Sequence, residues 1–227
     1  NLSIFGNFTL QSNTNLTFDN NVGSGELLIM GQKKKELPDF STQTGFANMS
    51  GNMLLYHLNN DSTQGENDTN FGDFSSNSLN YTCGSQAASL CPTWRSDGFI
   101  KGALNFSNAT GQSLNISKAT SYPLTMMGWV RFDKNGSKDY SDFLSTANST
   151  ALGVHYLAIV MYQGNLSLIA RDASTNDQFV TQFKVQTEQW IHLAGVYSNA
   201  TYRVLYLNGT ALVTRTGSVT PLVQNRI

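Results

Sequence analysis

The chain has 227 residues, of which 40% are hydrophobic and 11% aromatic, so it carries enough apolar side chains to bury a sizeable core. Charged residues make up only 13% of the chain and its formal net charge is −1, which leaves no electrostatic basis for binding nucleic acid or an anionic membrane. No apolar run has the length of a membrane-spanning helix. We therefore expect no nucleic-acid partner and no membrane span in this chain.

The first fifty residues divide into two segments. Apolar and polar residues alternate over 1–31, which predicts a β-rich N-terminal extension with strands near 2–10, 15–18 and 26–30. The alternation stops over 32–50, where three consecutive lysines (33–35) indicate a solvated linker. The remaining residues, 51–227, form the main domain.

Period-two alternation dominates the main domain, and no helical periodicity is visible. Turn residues separate the apolar stretches, for example Gln163-Gly164 and Asn208-Gly209, and Asn-Gly between two strands is a strong hairpin signal. Many short strands with turns between them predict an all-β fold, an antiparallel two-sheet jelly-roll sandwich. The predicted strands are 53–58, 102–106, 113–116, 124–132, 142–146, 156–162, 165–171, 179–185, 190–197, 202–209 and 210–216.

Two cysteines, Cys83 and Cys91, lie eight residues apart within the polar stretch 59–98. The sequence has no Cys-x-x-Cys motif and no histidine near the two cysteines, so it does not indicate a metal-binding or redox role. The pair therefore predicts a disulfide, which is typical of proteins outside the cell.

Asn-x-Ser/Thr motifs are unusually dense. Random placement of the 24 Asn and 46 Ser or Thr residues gives about five such sequons, whereas the chain has 15. The motif accepts an N-glycan in chains that pass through a secretory pathway, so the excess predicts an extracellular glycoprotein with covalent N-glycans. The predicted sites are Asn1, Asn7, Asn15, Asn48, Asn60, Asn67, Asn80, Asn105, Asn108, Asn115, Asn135, Asn148, Asn165, Asn199 and Asn208.

Eight of these motifs have a bulky apolar middle residue, as in Asn105-Phe106-Ser107 and Asn165-Leu166-Ser167. On a strand this spacing places the Asn and the Ser or Thr outward and the middle residue inward. We therefore expect several glycans on the solvent faces of strands. An Asn-rich composition that collects sequons in turns is the alternative.

An ordered set of short motifs resembles the laminin G-like domain. It consists of Leu55-Tyr56-His57-Leu58, Asp73-Phe74-Ser75, Gly102-Ala103-Leu104-Asn105-Phe106, Met127-Gly128-Trp129-Val130, the stretch from Trp190 to Tyr197, and Leu205-Tyr206-Leu207-Asn208-Gly209. The resemblance covers about 51–227 and implies the concanavalin A-like lectin/glucanase jelly roll. It also implies that Trp129 and Trp190 pack in the core. The family's domain continues with a further C-terminal strand, so we expect an open sheet edge. The segment 1–30, which is apolar at alternate positions, is the candidate to pair with such an edge of its own chain or of a neighbouring subunit. The alternative is that residues after Ile227 close the sheet and that 1–30 ends a separate upstream domain.

Catalytic motifs are missing from the sequence. Glucanases on this scaffold carry an E-x-D-x-x-E motif that sets two carboxylates about 5 Å apart. The four glutamates, Glu26, Glu36, Glu66 and Glu188, do not have this spacing, and the three histidines are scattered. The sequence predicts that the chain is not an enzyme and has no catalytic residue.

Two ligand sites remain candidates. Asp68, Asp73 and Asn77 form an oxygen-rich cluster of the kind that holds calcium in related domains, although such clusters also occur as plain turns. Trp94, beside the cysteine loop, is the candidate exposed platform for stacking a sugar ring. The whole pattern favours a densely N-glycosylated structural or adhesive protein of a cell surface, appendage or fibre, with copies of itself or surface carbohydrate as partners. A carbohydrate-binding lectin module is the alternative.

Overall fold

The structure, a computed structural model, describes residues 51–83, 90–107, 111–133, 140–151 and 153–227. The predicted N-terminal extension (1–31) and linker (32–50) lie outside the described residues. A short 3-10 helix occupies Ser62–Gln64, and the helical structure in the described part of the chain has neither the length nor the apolarity for a membrane crossing. The strands are β1 (Asn70–Phe71), β2 (Tyr81–Thr82), β3 (Thr93–Ile100), β4 (Gly102–Asn105), β5 (Leu124–Arg131), β6 (Tyr140–Ala147), β7 (Tyr156–Tyr162), β8 (Asn165–Arg171), β9 (Asn176–Lys184), β10 (Trp190–Asn199), β11 (Tyr202–Leu207) and β12 (Thr210–Thr216).

Two four-stranded antiparallel sheets form the body of the domain. The first sheet has the order β12-β11-β10-β5 and the second has the order β6-β7-β8-β9. Two-residue turns with positive φ at both positions close the β7–β8 hairpin at Gln163-Gly164 and the β11–β12 hairpin at Asn208-Gly209. The predicted two-sheet jelly-roll sandwich is confirmed.

Alternate residues of the central strands build the core between the sheets. β7 contributes Leu157, Ile159 and Met161, which lie opposite Ala170, Leu168 and Leu166 of β8. The first sheet contributes residues of the same alternating pattern: Leu124, Met126, Ile191, Leu193, Tyr197 and Leu205. Burial of these apolar side chains is the main stabilising contribution, at about 25 cal/mol per Å² of apolar surface.

Tyr197 and Gly195 of β10 mark where the two sheets approach closely. The Tyr197 ring is fully buried, and its hydroxyl lies 2.9 Å from the carbonyl oxygen of Ala158 and 3.2 Å from that of Ile169. A Cβ at Gly195 would come within 2.9 Å of the Ile159 side chain. The Tyr197 hydroxyl therefore links the first sheet to the second, and the close approach of the sheets leaves no room for a residue larger than glycine at position 195.

A smaller core lies beside the sandwich. Cys83 is fully buried there with Phe71, Tyr81 and Ile116, and it is disulfide-bonded to Cys91. The predicted pairing is confirmed, and the bond forms part of a packed cluster that includes β1 and β2.

The end of the chain pairs with two other segments. The backbone of Ile227 exchanges two hydrogen bonds of 2.8 Å with Ile116, and the Thr120 N–H donates to Gln224. On the other side, the Ala147 N–H at the end of β6 donates to Arg226. Residues 224–227 thus lie between 116–120 and β6.

The predicted strands at 53–58 and 113–116 are wrong. Among the described residues, Tyr56 makes only an isolated bridge, and Ile116 pairs only with the segment 224–227.

Candidate functional site

An exposed aromatic patch lies on the outer face of the first sheet, and we define it by Phe99, Met127, Trp129 and His192. The rings of Phe99 and Trp129 are stacked, with centroids 3.6 Å apart and planes at 17°. His192 meets Trp129 edge-on at 5.3 Å. Met127 is 63% exposed, while Phe99 and Trp129 are 39% and 36% exposed. Large exposed apolar groups gathered in one place are typical of a contact surface.

Strand register explains this patch. Trp129 of β5 lies directly opposite His192 of β10, and Met127 lies two residues away on the same face. Phe99 comes from β3, whose pairing with β4 is interrupted between Arg95 and Ile100. The irregular part of the hairpin carries Phe99 onto Trp129. The sequence expectation that Trp129 packs in the core is wrong, because Leu124 and Met126 occupy the inward positions of β5 and Trp129 has the opposite parity.

An ionic cluster borders the aromatic patch, formed by Arg95, Asp97, Arg131 and Asp133. The Asp97 carboxylate accepts hydrogen bonds from Arg95 at 2.8 and 2.9 Å and from Arg131 at 3.0 Å. These two guanidinium groups lower the pKa of Asp97 to about 2, so the cluster stays ionised at any physiological pH. The Arg131 guanidinium lies 5.4 Å from the centre of the Trp190 ring, which places Trp190 also on the outer face and not in the core as expected.

Trp94 does not form the exposed platform that its position suggested. It lies on β3, is half-buried, and packs so closely on Gly102 that a Cβ there would come within 2.5 Å of the indole nitrogen. Because this nitrogen is buried, the ring is a structural element of the β3–β4 hairpin. The exposed stacking surface in the described residues is formed by Phe99 and Trp129.

The predicted glycosylation sites differ in their accessibility. Six of them, Asn1, Asn7, Asn15, Asn48, Asn108 and Asn135, lie outside the described residues. Asn67, Asn80, Asn199 and Asn208 are exposed, Asn60, Asn105, Asn115 and Asn165 are half-buried, and Asn148 is buried. At the four exposed sites the side-chain oxygen accepts a backbone hydrogen bond at 2.8 to 2.9 Å, so it is the nitrogen that remains for a glycan.

Three sequons fold into the same local turn. The side-chain oxygen of Asn67, Asn148 or Asn199 accepts from both the N–H and the hydroxyl of the Thr two residues later. Asp61 makes the same two bonds with Thr63, as does Asp172 with Ser174. Asp is not glycosylated, so the same turn also forms at positions that carry no glycan.

Two of the predicted outward-facing patterns are wrong, and one further predicted glycosylation site, Asn148, is buried. The Asn148 nitrogen donates to the Val223 carbonyl at 2.8 Å, and its side chain is committed to holding the C-terminal segment. Ser167, predicted to face solvent beside Asn165, is fully buried because β8 is covered on both faces. Phe106, predicted to face inward beside Asn105, is 45% exposed.

The proposed calcium ligands Asp68, Asp73 and Asn77 have other partners. The Asp73 carboxylate accepts from the backbone N–H groups of Leu55 and Leu79 and from Ser75 at 2.8 to 2.9 Å. Partial burial opposes its ionisation, but these donors keep its pKa below the usual range. The Asn77 oxygen accepts from Lys118, whose charge would repel a cation, and Asp68 meets Asn60 at 3.5 Å. This donor set does not fit calcium, and the described residues contain no group of three or more His, Cys, Asp or Glu side chains placed to hold a metal ion.

A polar groove of about 570 Å³ is lined by Asn115–Ala119, Ser149 and Asn225–Arg226. Among these lining residues, Arg226 donates to the Asn115 side-chain oxygen at 3.0 Å. The groove has no aromatic lining, so the aromatic patch is the stronger binding candidate.

Comparison with known proteins identifies the family. The laminin G model of the concanavalin A-like lectin/glucanases superfamily matches residues 106–226, which is more than half of the chain. The chain therefore belongs to this superfamily, as its motifs predicted. No curated protein matches the sequence.

Several solved structures are similar at low identity. The receptor-binding domain of botulinum neurotoxin D has 13% identity and a TM-score of 0.41, with 51% of this chain and 32% of that chain covered. β-Agarase A from Zobellia galactanivorans has 9% identity and a TM-score of 0.39, covering 71% and 60%. An S-layer domain-containing protein from Clostridium thermocellum has 16% identity and a TM-score of 0.42, covering 74% of each chain. The chain thus spans about a third of the neurotoxin domain and less than two thirds of the agarase.

Proposed function

We propose that the chain is an extracellular, N-glycosylated adhesive or structural module of a cell surface, appendage or fibre. The observation that carries this proposal is the placement of Asn67, Asn80, Asn199 and Asn208. All four are exposed, and each side-chain oxygen accepts a hydrogen bond from a backbone N–H, which leaves the nitrogen for a glycan. The buried disulfide between Cys83 and Cys91 also supports an oxidising compartment.

Binding suits the outer surface of the first sheet better than catalysis does. The exposed stacked rings of the aromatic patch can cover an apolar face, and the neighbouring ionic cluster presents donors and acceptors. The carboxylates of this cluster are neutralised by Arg95 and Arg131, and the low pKa of Asp97 makes it unsuited to act as a general acid. The proposed module therefore holds a partner and does not transform it.

The experiment that tests the proposal is site-resolved glycopeptide mapping of the full chain secreted from a glycosylating host. We expect glycans at the four exposed sites and none at Asn148 in the folded protein. Unmodified asparagine at all four exposed sites would overturn the proposal, because the sequon excess would then be a consequence of turn chemistry alone.

Carbohydrate binding is the second candidate function, and the aromatic patch is the observation that favours it. Aromatic faces beside charged hydrogen-bonding groups are suited to sugar rings. A glycan array with the full chain tests this idea, using Trp129→Ala to remove the stack. Leu222→Ala is the matched control, because Leu222 is also an exposed apolar residue (53%) but lies outside the patch. Binding that is lost in the first variant and kept in the second supports the lectin function, and equal behaviour of both variants contradicts it.

A further inference from the structure

The Asn208 side chain is fixed at the border of the aromatic patch. Asn208 opens the β11–β12 turn, and its backbone N–H donates to the His192 carbonyl oxygen at 2.8 Å. Its side-chain oxygen accepts from the His192 N–H at 2.9 Å. Because the side-chain oxygen and nitrogen belong to one planar amide, the nitrogen that would carry a glycan is also held beside His192. A glycan on Asn208 therefore starts next to a patch residue.

The other three exposed sequons do not have this position. The side-chain oxygens of Asn67 and Asn199 accept from the threonine of their own motifs, and that of Asn80 accepts from a residue outside the patch. Asn199 lies seven residues after His192 on β10, which is about 23 Å along an extended strand. Asn208 is thus the exposed sequon held by the patch, and Asn199 is a matched comparison.

Aromatic rings lie on the path that leads away from Asn208 across the sheet. Trp129 of β5 is directly opposite His192. Strands in a sheet are about 4.8 Å apart, so Trp129 lies two strands, or about 10 Å, from Asn208. The Phe99 ring extends this surface, since it is stacked on Trp129. The first sugars of an N-glycan are long enough to cover such a path.

A second row of the same face runs beside this path. Ala194 of β10 is paired with Tyr206 of β11 on one side and with Met127 of β5 on the other. Tyr206 is opposite in parity to the core residue Leu205, so it lies on the outer face. Because Ala194 is much smaller than both of its neighbours, this row forms a shallow trough, and Met127 at its end is 63% exposed.

This surface suits a tethered sugar better than a free one. One face of N-acetylglucosamine carries C–H groups that pack on aromatic rings, while its hydroxyl and acetamide groups stay hydrated. A short tether gives the attached sugar an effective concentration of about 1 mM near the patch, and it binds without losing the freedom of a separate molecule. A stacking contact too weak to hold a free sugar is therefore populated in the attached one.

We propose that the N-glycan on Asn208 lies across the aromatic patch of its own chain, with its first sugars packed on Trp129 and in the trough beside Met127. The inference rests on the proposed glycosylation of Asn208. It gives the patch an intramolecular occupant, so that the glycan covers an exposed apolar surface of the domain. A free carbohydrate then reaches the patch only in chains that lack this glycan.

Oxidation of Met127 reports whether the patch is covered. The full chain is secreted from a host that makes high-mannose N-glycans and is treated with dilute hydrogen peroxide, and the Met127 sulfoxide is followed by peptide mass spectrometry. Thr210→Ala removes the Asn208 sequon but keeps Asn208. Thr201→Ala removes the Asn199 sequon in the same way and is the matched control.

We expect the glycan on Asn208 to slow the oxidation of Met127. A stacking contact of ordinary strength corresponds to a bias of about threefold or more, so Met127 should oxidise at least about threefold more slowly in the parent than in Thr210→Ala. Thr201→Ala should behave as the parent does. Met126 is 7% exposed, and its slow oxidation in every variant verifies that the sandwich is folded.

Two further samples distinguish stacking from general shielding by a bulky glycan. Trimming the outer mannoses with an α-mannosidase should leave the protection of Met127 unchanged, because the first sugars make the contact. In the Trp129→Ala background the stacking partner is gone, so adding Thr210→Ala should no longer change the Met127 rate. Protection that disappears on trimming, or that persists fully without Trp129, would contradict the inference.

The outcomes separate this inference from the proposed function. Equal Met127 rates in the parent and in Thr210→Ala, with Asn208 glycosylated, would overturn the inference and leave the glycosylation proposal intact. An unmodified Asn208 in a chain with glycans at the other three exposed sites would have the same meaning. Protection in Thr210→Ala that increases with protein concentration would place a second copy on the patch and would also overturn it. Absence of glycans from all four exposed sites would overturn both proposals.

Discussion

A buried ion pair between the two sheets provides the sharpest stability prediction. Asp177 of β9 accepts hydrogen bonds from Arg203 of β11 and, at 2.7 Å, from Arg215 of β12. The Arg203 side chain is 1% exposed, whereas that of Arg215 is 34% exposed. Burial lowers the pKa of Arg203, but a guanidinium remains charged in proteins, so its cation depends on Asp177 for compensation.

Asp177→Ala leaves the Arg203 cation buried, with the carbonyl groups of Gly217 and Ala200 as its remaining acceptors among the described residues. We expect a loss of about 3–5 kcal/mol in the free energy of unfolding, the usual cost of removing one partner of a buried pair. Arg215→Met removes the more exposed partner and should cost only about 1 kcal/mol. Adding Arg203→Met to Asp177→Ala should recover at least half of the loss, because the uncompensated charge is then gone.

Urea unfolding followed by tryptophan fluorescence measures these differences, with the slope checked for two-state behaviour. Asp177→Ala within about 1 kcal/mol of the parent would refute the account of a buried cation that depends on one carboxylate. A double variant as unstable as Asp177→Ala alone would refute it as well.

Three further predictions concern the cores. Replacing both Cys83 and Cys91 with Ser should lower the free energy of unfolding by about 2–3 kcal/mol, because the disulfide closes a short loop and Cys83 packs with Phe71 and Tyr81. Urea unfolding measures this loss. An unchanged midpoint would show that the small core is not coupled to the sandwich. Gly195→Ala should cost about 1–3 kcal/mol by forcing the Ile159 side chain to move, and a neutral result in thermal unfolding would contradict the close approach of the sheets. Burial raises the pKa of Tyr197 well above 10, so the native state keeps its proton while the unfolded chain loses it. The contribution of Tyr197 to the free energy of unfolding is therefore fully present below about pH 10 and should fall above it by about 1.4 kcal/mol per pH unit. Tyr197→Phe should reduce this decline in alkaline urea titrations. An equal decline in the variant would contradict this assignment.

Much of the sandwich could be predicted because many of its strands are recognisable from the local sequence pattern. β7, β8 and β12 have the predicted bounds, since apolar runs end at two-residue turns rich in Gly and Asn. β3 was not predicted because Arg95, Asp97 and Gly98 interrupt its pattern, and its pairing with β4 is irregular. Short pairings such as β1 with β2 have too few residues to show any period.

The aromatic patch was missed for a different reason. The laminin G-like motif around Trp129 suggested a core position, although the alternation of β5 already placed Trp129 on the face opposite Met126. Parity would have identified Trp129 as an outer residue. The contribution of Phe99 depends on how the β3–β4 hairpin lies over the sheet, which no local pattern specifies.

The sequons show the limit of motif counting. Asn67 and Asn148 have the same motif and make the same turn, yet one is exposed and the other donates to the C-terminal segment. The difference arises from contacts between Asn148 and Val223, which are far apart in sequence. Accessibility of each site therefore follows from tertiary structure and not from the motif.

Site-by-site glycan occupancy of the secreted full chain tests the central claim most directly. The account predicts substantial modification at Asn67, Asn80, Asn199 and Asn208, with Asn148 unmodified in the folded fraction. Complete absence of glycans from these four exposed sites in a host that glycosylates a control protein would contradict the claim that this domain is an N-glycosylated extracellular module.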